Sequence, residues 1–117
     1  MPLGVLVVDD QSPVRNVLVR LLEEAGCTVL GAAADGAEAV TLALELRPDA
    51  VLMDVRMPKL DGIQATAQIR EQLPDARVVL LSAYEDPALQ QDAEAAGAHA
   101  YLIKGCAAED LLHALRG

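Results

Sequence analysis

The chain has 117 residues, the length of one ordinary domain with a single hydrophobic core. It carries 18 acidic and 9 basic residues, a formal net charge of −9, which argues against binding to a nucleic-acid backbone or an anionic membrane. Phe and Trp are absent and there are only two Tyr, although 53% of the residues are hydrophobic. The core must therefore be built from Val, Leu, Ile and Ala.

Apolar runs alternate with amphipathic segments along the chain, a pattern typical of β-strands followed by helices. The predicted strands cover residues 3–8, 28–33, 50–53, 77–81 and 99–103. Strands this apolar are buried on both faces, which requires helices on both sides of a mostly parallel sheet. The pattern predicts an α/β fold of five βα units in three layers. A flavodoxin-like strand order of 2-1-3-4-5 would place the switch point between the first and third strands.

Caps and breakers predict where each helix begins and ends. The first helix should start at Ser12 with Pro13 in its first turn. Capping boxes should start the next two helices and Asp86-Pro87 the fourth, whereas the fifth has no good cap. The capping pairs are Asp35 with Glu38 and Asp61 with Gln64, and the terminating glycines are Gly26 and Gly97. The core-facing residues are predicted to be Val14, Val17, Leu18, Leu21, Leu22 and Ala25 in the first helix, Val40 and Leu44 in the second, Ile63, Ala67 and Ile69 in the third, and Leu111, Leu112 and Leu115 in the last.

Cysteine usage and the N-terminus suggest a cellular compartment. Cys27 and Cys106 are far apart in sequence and belong to no Cys/His cluster, so we expect two free thiols and neither a zinc site nor a disulfide framework. The first apolar run has no basic flank and leads directly into an acidic pair, unlike a signal peptide. No stretch approaches the roughly 20 apolar residues of a membrane span. We expect a soluble, cytoplasmic protein without a membrane partner.

Carboxylates follow the two strands that flank the predicted switch point. Asp9 and Asp10 come after the first strand, and Asp54 closes the third. Like charges about 4 Å apart repel by roughly 4 kcal/mol at an effective dielectric constant near 20, so such a cluster needs a counterion. A hard divalent cation that takes oxygen ligands is the natural candidate. The alternative is that the acidic pair only complements a helix dipole.

Two more polar residues end strands at the same predicted edge. Ser82 follows the fourth strand and Lys104 the fifth. A carboxylate such as Asp54 can attack phosphorus when a cation neutralises its surroundings, and the transferred group needs positive charge and hydrogen-bond donors on its oxygens. Taken singly, Ser82 and Lys104 would be interpreted as a turn residue and a solvated cap. Their conjunction with the three aspartates favours phosphoryl transfer.

These residues resemble the signature of bacterial response-regulator receiver domains of the CheY type over the whole chain. The matching segments are residues 7–10, 53–62, 81–83 and 100–104. The stretch from Lys104 to Leu112 looks most like receivers joined to a LuxR/NarL-type helix-turn-helix domain. The resemblance therefore implies one receiver domain over residues 1–117, with no output domain in this chain.

Carried over to this sequence, the resemblance implies a role for each residue of the site. Asp54 would be the phosphoacceptor; Asp9, Asp10, Asp54 and the backbone carbonyl of Arg56 would bind Mg²⁺; Ser82 and Lys104 would contact the phosphoryl group; and Tyr101 would move inward as a switch. A sensor histidine kinase would donate the phosphoryl group, and an output domain or effector protein, with a possible homodimer on phosphorylation, would respond. The chain would be a regulatory switch controlling transcription rather than a metabolic enzyme, because its only chemistry is transfer to itself and slow hydrolysis.

One position departs from the usual family pattern and two others lie where the family varies. Gly105 follows Lys104 where many receivers have Pro, so we expect no cis peptide bond there. Arg56 and Tyr84 flank the site at positions that vary among receivers.

Other classes of protein also place acidic or ligand-binding residues at strand ends. A haloacid-dehalogenase-type phosphatase would need Asp two residues after its nucleophile, where this chain has Arg56. A dinucleotide-binding domain would need a Gly-x-Gly-x-x-Gly loop, which is missing after the first strand. A stand-alone receiver that acts through protein contacts, and a receiver-like module that works without phosphorylation, both stay open.

Overall fold

A computed structural model of the chain describes residues 2–117 as five parallel strands alternating with five helices. The strands are β1 (Gly4–Val8), β2 (Thr28–Ala33), β3 (Ala50–Asp54), β4 (Arg77–Ser82) and β5 (Ala100–Ile103). The helices are α1 (Ser12–Glu24), α2 (Gly36–Leu46), α3 (Gly62–Gln72), α4 (Pro87–Ala96) and α5 (Ala108–Arg116). The strand order is β2-β1-β3-β4-β5, and each neighbouring pair is parallel. The predicted flavodoxin-like fold is therefore confirmed.

Alternating residues of the central strands supply the two halves of the core. On one face, Leu6 and Val8 pack with helices α2, α3 and α4. On the other face, Val5 and Val7 pack with α1 and α5. All four side chains are fully buried, and burying a side chain of this size contributes about 1.5–3 kcal/mol. The aliphatic three-layer core thus holds the five strand ends in a fixed arrangement. Within residues 2–117, no helix combines the length and the apolar content that crossing a membrane requires.

Helix starts follow the predicted caps at α2, α3 and α4, except that the capping box predicted at α2 is only half formed. Asp61 and Gln64 form a complete capping box at α3, and the Asp35 side chain accepts a hydrogen bond from the Glu38 backbone N–H at α2. The prediction for Ser12 is wrong. Gln11 is the N-cap of α1 and makes no side-chain cap hydrogen bond, so Ser12 is already the first helical residue.

Helix faces were predicted less well than helix positions. In α1 only Leu22 is buried, and the predicted core residue Val17 is 64% exposed. In α2 the buried apolar residues are Ala39 and Ala43, whereas Leu44 is 38% exposed. In α3 Ala67 is exposed as well. The hydrophobic pattern of α2 is apolar almost all round, so its period does not select one face.

The strand register brings the predicted acidic residues to one level of the sheet. Val8 of β1 pairs with Met53 of β3, so Asp9 and Asp54 follow at the same height on neighbouring strands. Ser82 lies one residue beyond Leu81, which pairs with Asp54. These positions are at the carboxyl ends of parallel strands, beside the switch point between β1 and β3, where open α/β sheets place their sites.

Candidate functional site

The three aspartates form one acidic cluster at the carboxyl edge of the sheet. Oxygen atoms of Asp9, Asp10 and Asp54 all lie within 4.8 Å of one another. Asp9 and Asp54 are only 1% and 7% exposed, whereas Asp10 is exposed to solvent. The cluster thus has a buried floor and an open side. A set of three carboxylate oxygens reachable from solvent fits a hard divalent cation.

Lys104 lies against the two buried aspartates. Its Nζ is 3.2 Å from Oδ2 of Asp9 and 3.2 Å from Oδ2 of Asp54. The lysine follows β5, and its backbone N–H donates to the carbonyl oxygen of Ser82 at 2.8 Å, which fixes the start of the side chain. The following residue, Gly105, takes a left-handed φ of 92° after a trans peptide bond. One ammonium group therefore reaches two acids from the fifth strand.

Burial and charge act in opposite directions on the ionisation of this group of residues. Desolvation raises the pKa of Asp54, and the neighbouring Asp9 raises it further, while the attraction of Lys104 and a hydrogen bond from the Arg56 backbone N–H lower it; the net direction is upward. For Lys104, burial alone would lower the pKa, but Asp54 and Asp9 together raise it. Lys104 therefore stays protonated, and its positive charge favours the ionised form of the buried Asp54 carboxyl group.

Backbone contacts orient Asp9. Its Oδ1 accepts a hydrogen bond from the Gln11 backbone N–H at 2.9 Å, and its carbonyl oxygen accepts one from Arg15 Nη1 at 2.7 Å. Neither Gln11 nor Arg15 was predicted from the sequence to contribute to the site. The position of Arg15, one helical turn after the acidic pair, was the only signal that could have suggested it. Together these contacts fix the peptide that joins Asp9 to Asp10.

Ser82 and Tyr101 are connected through the loop that precedes α4. Ser82 is 2% exposed, and its Oγ accepts a hydrogen bond from the Tyr84 backbone N–H at 3.1 Å. The Tyr101 hydroxyl donates to the Tyr84 carbonyl oxygen at 3.1 Å. The backbone of Tyr84 therefore links the predicted phosphoryl-contacting hydroxyl to the predicted switch residue, whereas its side chain is 64% exposed. No pattern in the sequence indicates this link, because it runs through backbone atoms.

The remaining predicted ligand lies just after Asp54. Arg56 has an exposed side chain, and its backbone N–H contributes to lowering the pKa of the Asp54 carboxyl group. The structure thus brings Asp9, Asp10, Asp54 and Lys104 together and places Arg56 and Ser82 on the adjoining segments. The roles assigned to these residues stay predictions. Cys27 is buried and Cys106 partly buried, and both are free cysteines.

A parallel α/β sheet with this acid–lysine site is the architecture of a response-regulator receiver. Residues 5–116 match the family model described as the response regulator receiver domain, so the chain belongs to that family. Receiver domains act in two-component systems, and they generally bind Mg²⁺ at an acidic pocket and interact with histidine kinases and output domains.

Individual relatives agree with this assignment. The transcriptional regulatory protein PdtaR of Mycobacterium tuberculosis is 41% identical over 115 residues, which cover 98% of this chain and 56% of PdtaR. The signal receiver domain of NarL from Mycobacterium tuberculosis superposes with a TM-score of 0.91 at 36% identity, covering 99% of this chain and 98% of that one. A chain in the CheX-CheY-BeF3-Mg²⁺ complex of Borrelia burgdorferi gives a TM-score of 0.91 at 32% identity, covering 97% and 87%.

These relatives also indicate which receivers the chain resembles and how much of each relative it covers. The similar structures include NarL and a LuxR-family response regulator, in agreement with the predicted resemblance to receivers of the LuxR/NarL type. The chain spans about half the length of the curated relatives it matches.

Proposed function

We propose that Asp54 accepts a phosphoryl group from a sensor histidine kinase in a reaction that depends on Mg²⁺. The observation that carries this proposal is the position of Lys104, whose ammonium group lies 3.2 Å from both Asp54 and Asp9 at the acidic cluster. A nucleophilic carboxylate, a second acid and a fixed cation at one site are what a phosphoryl acceptor requires. A purely structural ion pair would not need the third aspartate, Asp10, on the solvent side.

The proposed transfer is a single displacement at phosphorus. A carboxylate oxygen of Asp54 forms a bond to phosphorus while the bond from phosphorus to the histidine nitrogen of the kinase breaks, and the electron pair stays on that nitrogen. Lys104 balances negative charge on the phosphoryl oxygens, and the Ser82 hydroxyl can donate a hydrogen bond to one of them. Hydrolysis of the acyl phosphate later returns Asp54 to a free carboxylate. The chain thus acts as a switch rather than as an enzyme with turnover of an external substrate.

The acidic cluster fits the metal ion that this chemistry uses. Asp9, Asp10 and Asp54 would hold Mg²⁺ together with the carbonyl oxygen of Arg56, since all four are hard oxygen ligands. The bound ion would supply positive charge that offsets repulsion between the acids and the incoming phosphoryl oxygens. Asp10 is the exposed member of the set, so it gives the ion its path from solvent.

Phosphorylation would change the contacts of Ser82 and Tyr101. Replacing a carboxylate of charge −1 by a group nearer −2 creates new acceptor oxygens that can draw the Ser82 hydroxyl away from the Tyr84 backbone. Tyr101 donates to the same residue, so its position would change with it. The surface formed by α4, β5 and α5 would then favour a different partner, and a bias of a few kcal/mol between two existing states is enough.

The output is proposed to be transcriptional. PdtaR is named a transcriptional regulatory protein and is nearly twice as long as the match. By analogy, a LuxR-type DNA-binding domain would receive the signal in the cytoplasm, with homodimerisation on phosphorylation as one route. This domain itself, with its net charge of −9, would not contact DNA.

Intact-mass measurement after incubation with acetyl phosphate tests the central proposal. The wild type should gain one phosphoryl group in the presence of Mg²⁺ and none with a chelator. Asp54→Asn should gain none under either condition, while Asp75→Asn, at an exposed acid outside the site, should behave as the wild type. An unmodified wild-type chain would contradict the proposal and favour a receiver-like module that works without phosphorylation.

A further inference from the structure

The segment between β3 and α3, residues 55–61, packs against the first residue of α2. Gly36 occupies that position and is buried. A Cβ atom at Gly36 would lie 2.0 Å from the carbonyl oxygen of Leu60 and 2.7 Å from its carbonyl carbon. These are backbone atoms, so they cannot rotate aside as the end of a flexible side chain can. Any side chain at position 36 must therefore displace the 55–61 loop.

Hydrogen bonds fix both ends of the 55–61 loop, so a displacement at Leu60 has to be accommodated by the residues between those ends. At the beginning, the Val55 backbone N–H donates to the Leu81 carbonyl oxygen at 3.0 Å. At the end, the Gly62 backbone N–H donates to the Val55 carbonyl oxygen at 2.7 Å, and the capping box of Asp61 and Gln64 orients the start of α3. We therefore expect a shift imposed at Leu60 to move residues 56–59, the part of the loop that contains Arg56.

A second contact joins the same loop to α2. Lys59 Nζ lies 3.5 Å from Oδ2 of Asp35, the N-cap residue of α2. Asp35 also accepts the Glu38 backbone N–H at 2.8 Å, so its carboxylate is fixed in place. Lys59 has a φ of 68°, a left-handed conformation that a lysine rarely adopts, and the ion pair helps to hold it. The loop is thus held against α2 by close packing at Gly36 and by charge at Asp35.

We propose that Gly36, the first residue of α2, is a positioning residue for the metal site, although the expected ligands all lie at the end of β3 or in the loops that follow β1 and β3. Its lack of a side chain lets the 55–61 loop pack against α2, and this packing would hold Arg56, two residues after Asp54, where its carbonyl group can bind the ion. Asp35 assists through Lys59. This inference rests on the proposed function, because Arg56 matters here as a ligand of Mg²⁺.

Calorimetric titration of the unphosphorylated chain with Mg²⁺ tests the inference without using the phosphorylation reaction. Gly36→Ala should weaken Mg²⁺ binding by about 10- to 100-fold, the usual effect of disturbing residues that orient metal ligands. With acetyl phosphate, the Mg²⁺ concentration for half-maximal phosphorylation should rise by the same factor, while saturating Mg²⁺ restores the wild-type yield.

Gly31→Ala is the matched control. A Cβ atom at Gly31 would lie 2.8 Å from Cδ1 of Leu46, the far end of a flexible side chain that can move. Gly31 is in β2 and does not touch the 55–61 loop, so this variant should bind Mg²⁺ as the wild type does. Thermal unfolding of both variants, followed by circular dichroism, separates loss of stability from loss of metal affinity.

Asp35→Asn tests the contact between α2 and the 55–61 loop without adding volume, because it removes the ion pair with Lys59. This variant provides the test of the inference if Gly36→Ala does not fold. Asn keeps an oxygen that can accept the Glu38 backbone N–H, so α2 stays capped while the pair with Lys59 is lost. The Mg²⁺ dissociation constant should rise about two- to fivefold, as expected for a partly exposed ion pair. Glu38→Gln removes one charge from the same turn without touching Lys59 and should change the constant less.

Each result is decisive for one of the two proposals. A wild-type chain that binds Mg²⁺ but gains no phosphoryl group contradicts the proposed function and leaves the positioning role to be judged by calorimetry. If Gly36→Ala and Asp35→Asn bind Mg²⁺ as tightly as their controls, Gly36 does not position the site. Equal weakening in Gly36→Ala and Gly31→Ala would likewise overturn the inference, because general destabilisation would then explain both.

Discussion

Lys104 explains how two buried acids coexist in a domain that is already strongly acidic. Its ammonium group lies at 3.2 Å from both Asp9 and Asp54, and the lysine side chain keeps 29% of its surface exposed. The sequence predicted that this lysine ends a strand at the acidic edge. It did not predict that a single lysine would serve both acids, because that depends on side-chain reach across β1, β3 and β5. The Tyr101 contact with the Tyr84 backbone was unpredictable for the same reason.

We expect a second ionisable residue, His99, to make the stability of the fold depend on pH; it lies at the end of β4 that is opposite to the acidic cluster. Its Nδ1 accepts a hydrogen bond from the Val78 backbone N–H at 3.0 Å, which requires that nitrogen to be unprotonated. Desolvation, followed by the positive charges of Arg70 and Arg77, lowers the pKa of His99 below its ordinary value of 6.5. The unfolded chain therefore binds a proton more readily than the folded chain. His99 should stabilise the fold above about pH 6.5, and this contribution should be lost as the pH falls through the folded pKa.

His99→Asn provides the test of this pH dependence. The Asn side-chain oxygen can accept the Val78 backbone N–H in place of Nδ1 and does not titrate. Urea unfolding of both proteins between about pH 5 and pH 8 should show the wild type losing stability relative to the variant below about pH 6.5. A constant difference across that range would show that His99 is not the group responsible.

The helices show where hydrophobic periodicity stops being informative. Asp61 with Gln64 and Asp35 with Glu38 cap their helices as predicted, because a cap depends on a few neighbouring residues. The face that α2 turns to the core was only partly predicted. Val40 packs against the core but Leu44 is 38% exposed, since apolar residues occur almost all round this helix. Tertiary packing decides that the small residues Ala39 and Ala43 face the core, because their size lets α2 approach the sheet and α3 closely. Local signals therefore predicted the ends of the helices better than their orientation.

The same substitution at two positions of α2 should separate the observed face from the one expected from the pattern. Ala39 is fully buried, so Ala39→Leu should overpack the core and destabilise the fold by about 1–3 kcal/mol. Ala37 is exposed and lies on the helix face of Val40 and Leu44, so Ala37→Leu should change stability by only about 0.5 kcal/mol. Urea unfolding followed by circular dichroism measures both. A larger loss at Ala37 than at Ala39 would contradict the observed packing.

For the whole molecule, the topology rule for parallel sheets predicted more than any single motif. The alternation of strands and helices predicted a parallel sheet, and the flavodoxin-like order 2-1-3-4-5 then placed Asp9 and Asp54 together at the switch point, as the structure has them. What the sequence did not reveal is the contact of α2 with the 55–61 loop. That contact is possible because Gly36 has no side chain. A glycine in a sequence can mark a turn, a helix end or a close approach, so the sequence alone does not indicate which role Gly36 has.

Magnesium should stabilise the entire domain, because the acidic cluster exists only when β1 and β3 are folded side by side. A ligand that binds only the folded state adds about 2.7 kcal/mol at 100 times its dissociation constant. Mg²⁺ should therefore raise the urea midpoint of the wild type, and EDTA should reverse the effect. NaCl at equal ionic strength should do less, since it only screens the net charge of −9.

Asp10→Asn distinguishes specific binding from screening. Asp10 is exposed but lies within 4.8 Å of two other carboxylates, so without metal the variant should be at least as stable as the wild type, and it should lose most of the stabilisation when Mg²⁺ is added. Because the substitution changes the net charge by only one unit, screening would act almost equally on both proteins. An equal shift in both midpoints would therefore mean that Mg²⁺ acts on the overall charge of the domain and not at the aspartate cluster.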